Sequence, residues 1–171
     1  MIEAHVLYGL DYDHNGAVVH PQSIVPSFVE FVDGSVLAQG GEPTMELPII
    51  YALTHPERVP EPTLRGFDPV ACSPLTFEEI DHDAFPLFGL GVAAGRRGGL
   101  APCAFNAGNE IAVAAFLEHR VSFPGMARVV EAAMEAVGDT APATVAEVRE
   151  ADRVARRAAR AELERLEGSP A

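Results

Sequence analysis

The 171-residue sequence contains no lysine; all 12 of its basic residues are arginine. That absence removes a Schiff-base lysine, a lysine general base and the lysine of a phosphate-binding P-loop. Cysteine is scarce too. Cys72 and Cys103 stand alone and outside any CxxC spacing, which suits neither a zinc site nor a disulfide framework and leaves two buried, reduced thiols as the expectation. No apolar run approaches the ~20 residues that cross a bilayer. The opening MIEAHVLYGL carries an acid where a secretory signal needs positive charge, so a soluble, cytoplasmic protein with no membrane partner is expected. Complete catalytic motifs are missing as well: there is no serine nucleophile elbow, HExxH, GxGxxG or P-loop.

What is present is acidic and apolar. The formal net charge of −13 repels phosphate backbones, so nucleic acid is not expected as a partner. Apolar residues make up 48% of the chain, enough for one substantial core or for two small units. Arg153, Arg156, Arg157 and Arg160 cluster, but they alternate with Glu147, Glu150, Asp152, Glu162 and Glu164. Asp152 and Arg156 stand at helical spacing, the pattern of a solvated, charge-laced helix face.

Periodicity divides the chain into three stretches. MIEAHVLYGL carries a helical stripe at Ile2, Val6, Leu7 and Leu10, with no residue ahead of Met1 to cap it. AVVH after Gly16 reads as a short strand. IVPSFVEFV and SVLAQ flank Asp33-Gly34, a strong hairpin signal, and Pro26 requires an edge, a strand start or a bulge. TMELPIIYALTHP reads as a short helix or turn-rich segment. Five prolines between Thr54 and Ile80 make an extended, semi-rigid strap. Beyond it four helical segments follow. FPLFGLGVAAGRRGG ends at glycines. NAGNEIAVAAFLEH has Asn106 or Asn109 as a cap and Ile111, Ala114, Ala115 and Leu117 as its apolar face. PGMARVVEAAMEAVGD starts at Pro124 and stops at Gly138. The last, TVAEVREADRVARRAARAELERLEG, is apolar at Val148, Ala151, Ala155, Ala159, Leu163 and Leu166. The expected fold is α+β: a partial sheet with a β-hairpin packed by helices, a proline-rich linker and a C-terminal four-helix bundle.

Four local patterns invite a chemical reading. DYDHNG (Asp11, Asp13, Asn15, Gly16) opens like a calcium-binding loop, but Gln22 at its twelfth position cannot supply the bidentate carboxylate. The alternative is a helix-to-strand loop whose polar groups satisfy free backbone. His20 has no ligand-spaced partner and reads as a hydrogen-bonded structural histidine at a strand end. Asp81 and Asp83 flank His82 ahead of a helix and are explained by capping and the helix dipole. GLGVAAG lies inside a helical pattern and follows no strand, which makes it a poor nucleotide loop.

Taken together, HPQS, DGSVLAQ, GEPTM and NEIAVAAFL, in this order along the chain, resemble the 1-deoxy-D-xylulose-5-phosphate reductoisomerase family. The resemblance covers the end of that family's catalytic domain, its linker and its C-terminal helical bundle. It implies residues 1–53 as the C-terminal part of a catalytic and dimerisation domain, 54–80 as linker and 81–171 as bundle. It also implies a homodimeric enzyme that uses NADPH and a divalent metal, Mg or Mn. That enzyme rearranges its sugar-phosphate substrate and reduces it to 2-C-methyl-D-erythritol 4-phosphate for isoprenoid synthesis. Pro43 and Met45 of GEPTM match positions that line the family's substrate pocket. The family's Asn-Lys-Gly-Leu-Glu segment, with a metal-binding glutamate, would precede Met1, and the Rossmann half lies further upstream. No catalytic, cofactor-binding or metal-binding residue is therefore expected in this chain, and neither NADPH nor metal is expected to bind it alone. The sugar phosphate would be a partner only together with the missing N-terminal part, and a homo-oligomer is expected through the dimer sheet. Pro26 stands where the family usually has a second histidine. A non-catalytic binding or interaction module derived from the same fold is the other reading.

Overall fold

The computed structural model describes residues 1–142 and 144–168. Contacts divide the chain into two compact units, Met1–Ala17 with Ile80–Ala171, and Val18–Glu79.

The second unit is built on a hairpin. Strands β1 (Ser27–Glu30) and β2 (Val36–Gln39) pair antiparallel, Ser27 opposite Gln39 and Glu30 opposite Val36. Pro26 immediately precedes β1, where a missing N–H costs the ladder nothing. The turn is longer than an Asp-Gly pair. Phe31 N–H donates to the Ser35 carbonyl, Gly34 N–H donates to the Phe31 carbonyl, and Gly34 takes φ +82°. This is a three-residue loop closed by a left-handed glycine. Asp33 Oδ1 accepts from the Ser35 backbone N–H and hydroxyl, and those bonds hold its carboxyl below the ordinary range. Helix α2 (Glu46–Thr54) follows. The strap is without a regular element, yet it folds back on the hairpin unit: Val19 and Glu78 exchange backbone hydrogen bonds, each at 2.9 Å. That single bridge is all that forms in AVVH, and the strand expected there is absent. Pro21 follows too closely for a second ladder bond.

The first unit is helical: α1 (Ile2–Tyr8), α3 (Pro86–Arg97), α4 (Ala101–Leu117), α5 (Phe123–Glu135) and α6 (Val145–Glu167). Helices α3 to α6 are the expected four-helix bundle, and α1 packs against α3. As the sequence suggests, α1 has no side-chain cap at Met1. Helix α5 starts with Ser122 Oγ accepting from Gly125 N–H. In α6, Thr144 and Glu147 form a reciprocal capping box.

Helix α4 departs from the sequence reading in two ways. It begins at Ala101, so Asn106 and Asn109 lie inside it and cap nothing. Gly98 and Gly99, both at positive φ, break the preceding helix, and Pro102 occupies the first turn, where its missing N–H is harmless. Its buried stripe is Ala101, Ala104, Ala107, Gly108, Ala112 and Ala115. Ala114 is exposed and Leu117 is 71% exposed. Small residues, which carry little hydrophobic signal, mark the face where neighbouring helices approach closely. The core of the unit is completed by Val129, Val130 and Ala133 of α5 and by Ala151, Ala155, Ala159 and Leu163 of α6.

Two smaller expectations are also corrected. Cys72 and Cys103 are free but only half-buried. Desolvation, with Asp152 nearby, pushes the Cys103 thiol up. Asp81 does not cap α3, whose N-cap is Phe85; Asp81 Oδ1 accepts from the Asp83 and Ala84 amides and closes a turn just before it.

Candidate functional site

In the hairpin unit an open cleft of about 470 Å³ is bordered by His20, Ser23, Pro26, Glu42, Pro43, Met45 and several aliphatic neighbours. The structure thus brings Pro43 and Met45 to one cavity and adds His20 and Pro26 to its rim. Met45 is 67% exposed, so its thioether faces open space rather than a core.

The HPQS turn is held by side chains that the sequence leaves without assigned partners. His20 Nδ1 donates to the Thr76 carbonyl at 2.7 Å, and His20 Nε2 accepts from Ile24 N–H at 3.1 Å. The imidazole stacks on Phe77 with ring centroids 4.4 Å apart. Gln22 Nε2 donates to Thr76 Oγ1 at 2.9 Å, and Gln22 Oε1 accepts from Thr76 N–H at 3.3 Å. Ser23 takes φ +52°, a left-handed conformation at a non-glycine residue, and its N–H donates to the His20 carbonyl. Gly41 N–H donates to the Ile24 carbonyl at 3.0 Å, which fixes the start of the GEPTM loop against this turn. On the loop's other side the Phe67 ring lies over Gly40, where an added Cβ would stand 3.1 Å from the ring. His20 is therefore structural, as its sequence context suggests. Its carbonyl partner Thr76 lies 56 residues away and left no local signal.

The DYDHNG loop lies in the other unit. Its Asp13 is committed to Arg96, Oδ1 to Nη2 at 2.5 Å, and that pairing holds the Asp13 carboxyl below the ordinary range. Residues Tyr12–His14 form a short 3-10 turn, and the Tyr12 ring covers Gly95 so closely that an added Cβ would collide with the phenol oxygen. The loop fastens α1 to α3, and an arginine occupies the carboxylate that a cation would need.

A divalent cation that polarises a substrate requires several converging oxygens. Among the described residues no group of three His, Cys, Asp or Glu side chains could hold a metal ion. Glu42 is the one carboxylate among the residues lining the cleft. The donor set present does not fit a catalytic cation, and among the described residues no helix is long and apolar enough to cross a membrane.

A hairpin unit carrying an open cleft, joined in sequence to an alanine-rich four-helix bundle, defines an α+β chain. Its residues 41–158 match the family described as the DXP reductoisomerase C-terminal domain, and the chain belongs to that family. It is 48% identical to the 1-deoxy-D-xylulose 5-phosphate reductoisomerase of Gloeobacter violaceus over 96% of this chain and 42% of that protein. With the Burkholderia mallei protein of the same name the identity is 44%, over 97% of this chain and 42% of the relative. Among solved structures, the Zymomonas mobilis enzyme in complex with NADPH superposes with a TM-score of 0.87 at 36% identity, covering 95% of this chain and 43% of that one. A DOX-P reductoisomerase in complex with NADPH, fosmidomycin and magnesium gives a TM-score of 0.89 at 33% identity, covering 98% and 43%. The chain spans about two-fifths of the length of these relatives.

Proposed function

We propose that this chain supplies one wall of the substrate pocket and the helical bundle of an NADPH-dependent reductoisomerase acting on 1-deoxy-D-xylulose 5-phosphate. The observation that carries the reading is the convergence of Pro43 and Met45 on one open cleft whose lining offers an apolar surface and a single carboxylate. Such a wall can hold the carbon skeleton of a small sugar phosphate and exclude water, but it cannot activate the substrate. NADPH and the divalent cation, Mg or Mn, are held by residues outside this sequence. In functional terms, residues 1–53 belong to the catalytic and dimerisation part, 54–80 to the linker and 81–171 to the bundle. The working enzyme is a cytoplasmic homodimer that feeds isoprenoid synthesis.

Two measurements test this. The purified chain, given substrate, NADPH and magnesium, is expected to show no substrate-dependent NADPH oxidation; measurable turnover overturns that part of the reading. Co-expression with the remaining N-terminal portion of a relative is expected to restore turnover. The lack of a fitting cation donor set among the described residues is also compatible with a non-catalytic binding module, and persistent inactivity in that complementation would favour the module.

A further inference from the structure

The imidazole of His20 is bound from both sides by groups that together select one tautomer. The Thr76 carbonyl can only accept, so Nδ1 carries the proton; the Ile24 N–H can only donate, so Nε2 is bare. The hydrogen-bond geometry assigns the Nδ1–H tautomer. Ile24 in turn accepts from Gly41, two residues ahead of Pro43. One line of hydrogen bonds therefore runs from the strap through the imidazole to the GEPTM loop. The flat contact with Phe77, at 15° between ring planes, fixes the orientation of the ring.

We propose that His20 is a positioning residue for the pocket wall: its two ring nitrogens register strap residue Thr76 against Ile24 and Gly41, and so set where Pro43 and Met45 stand. The role rests on the reading of that wall as a substrate surface. It requires a donor and an acceptor on opposite edges of one rigid ring. Phenylalanine would keep the stacking and lose both bonds. Asparagine would keep at most the donor.

The test uses the whole chain, labelled with ring 15N in histidine and methyl 13C in methionine. The four methionines report separately: Met45 lies on the wall, and Met126 and Met134 are buried in the bundle. The expected result is the Nδ1–H tautomer for His20, with a displaced and broadened Met45 methyl signal in His20→Phe while Met126 and Met134 stay in place. An Nε2–H tautomer, an even tautomer mixture, or an unmoved Met45 signal in His20→Phe would overturn the proposal. If His20→Phe also moves Met126 and Met134, the tautomer of the unsubstituted chain decides. No substrate enters the measurement, so its failure is distinct from failure of the functional reading, which complementation reports.

Discussion

Gly108 of α4 faces Ala133 of α5 with no room for a methyl group between them: a Cβ at Gly108 would stand 2.8 Å from the Ala133 Cβ and 3.1 Å from the Val130 Cα. The second neighbour is backbone, so α5 itself would have to move. Replacing glycine by alanine inside a helix returns up to about 1 kcal/mol of propensity, whereas forcing a methyl into a packed interface costs about 1–3 kcal/mol. Gly108→Ala is expected to destabilise the bundle by about 1 kcal/mol net, and Gly108→Val by more, because its extra methyls meet the same backbone. Urea denaturation followed by helical circular dichroism reads both midpoints. Unchanged midpoints for the pair would mean that α5 slides freely.

The start of α6 gives a second prediction. Thr144 Oγ1 accepts from Glu147 N–H at 3.3 Å while Glu147 Oε2 accepts from Thr144 N–H at 3.1 Å. Thr144→Ala removes half of the reciprocal pair and should cost about 1 kcal/mol, and Thr144→Ser should recover most of it. Thermal melts of the three proteins make the comparison, and equal loss in alanine and serine would point away from capping.

The helical part of the fold was legible because its punctuation is local. Pro124, Gly138 and the glycines after Arg97 each act within one turn of where they stand. The face of α4 was legible only at Ala115, because alanine and glycine at 104, 107, 108 and 112 matter through the backbone approach they permit. The cleft was half legible. Pro43 and Met45 were reached through family resemblance, and nothing near His20 or Gln22 in sequence announces Thr76 as their shared partner. Charge pairing behaved the same way. Asp152–Arg156 was visible at helical spacing, but the contact of Arg156 with Glu110, 46 residues away, was not.

That cross-helix contact sets a pH dependence. Arg156 Nη2 donates to Glu110 Oε2 at 2.8 Å, and Asn106 Nδ2 donates to Glu110 Oε1 at 3.0 Å. The Arg156 hydrogen bond first, and the Asn106 bond after it, hold the Glu110 carboxyl below its ordinary value. A carboxyl depressed in the folded state stabilises the fold above its unfolded pKa, about 4.3. That contribution is lost as pH falls through the lower, folded value. Glu110→Gln should therefore lower the urea midpoint slightly at neutral pH and flatten the decline on acidification below about pH 4, where wild type and variant converge. The effect is small because Glu110 is solvent-exposed, and it should shrink further in high salt. A variant that declines as steeply as the wild type would assign the acid sensitivity to the other arginine-paired carboxylates, Asp13, Glu150 and Glu162.

The fold-back of the strap can be tested apart from the histidine. Gln22 holds Thr76 through its amide nitrogen at 2.9 Å and its amide oxygen at 3.3 Å, and two residues beyond Thr76 the strap pairs with Val19. Gln22→Ala leaves the ladder bonds between Val19 and Glu78 in place but removes the clamp beside them. Losing such a pair of partly exposed hydrogen bonds costs about 1 kcal/mol of local stability, which corresponds to about fivefold more frequent opening. Hydrogen–deuterium exchange should show the Val19 and Glu78 amides exchanging about five times faster in the variant, because local opening limits their protection. Amides of α5 and α6, which belong to the other compact unit, should be unchanged. If the Val19 and Glu78 rates stay at wild-type values, the strap is held by its own backbone and by Phe67 over Gly40 rather than by the glutamine.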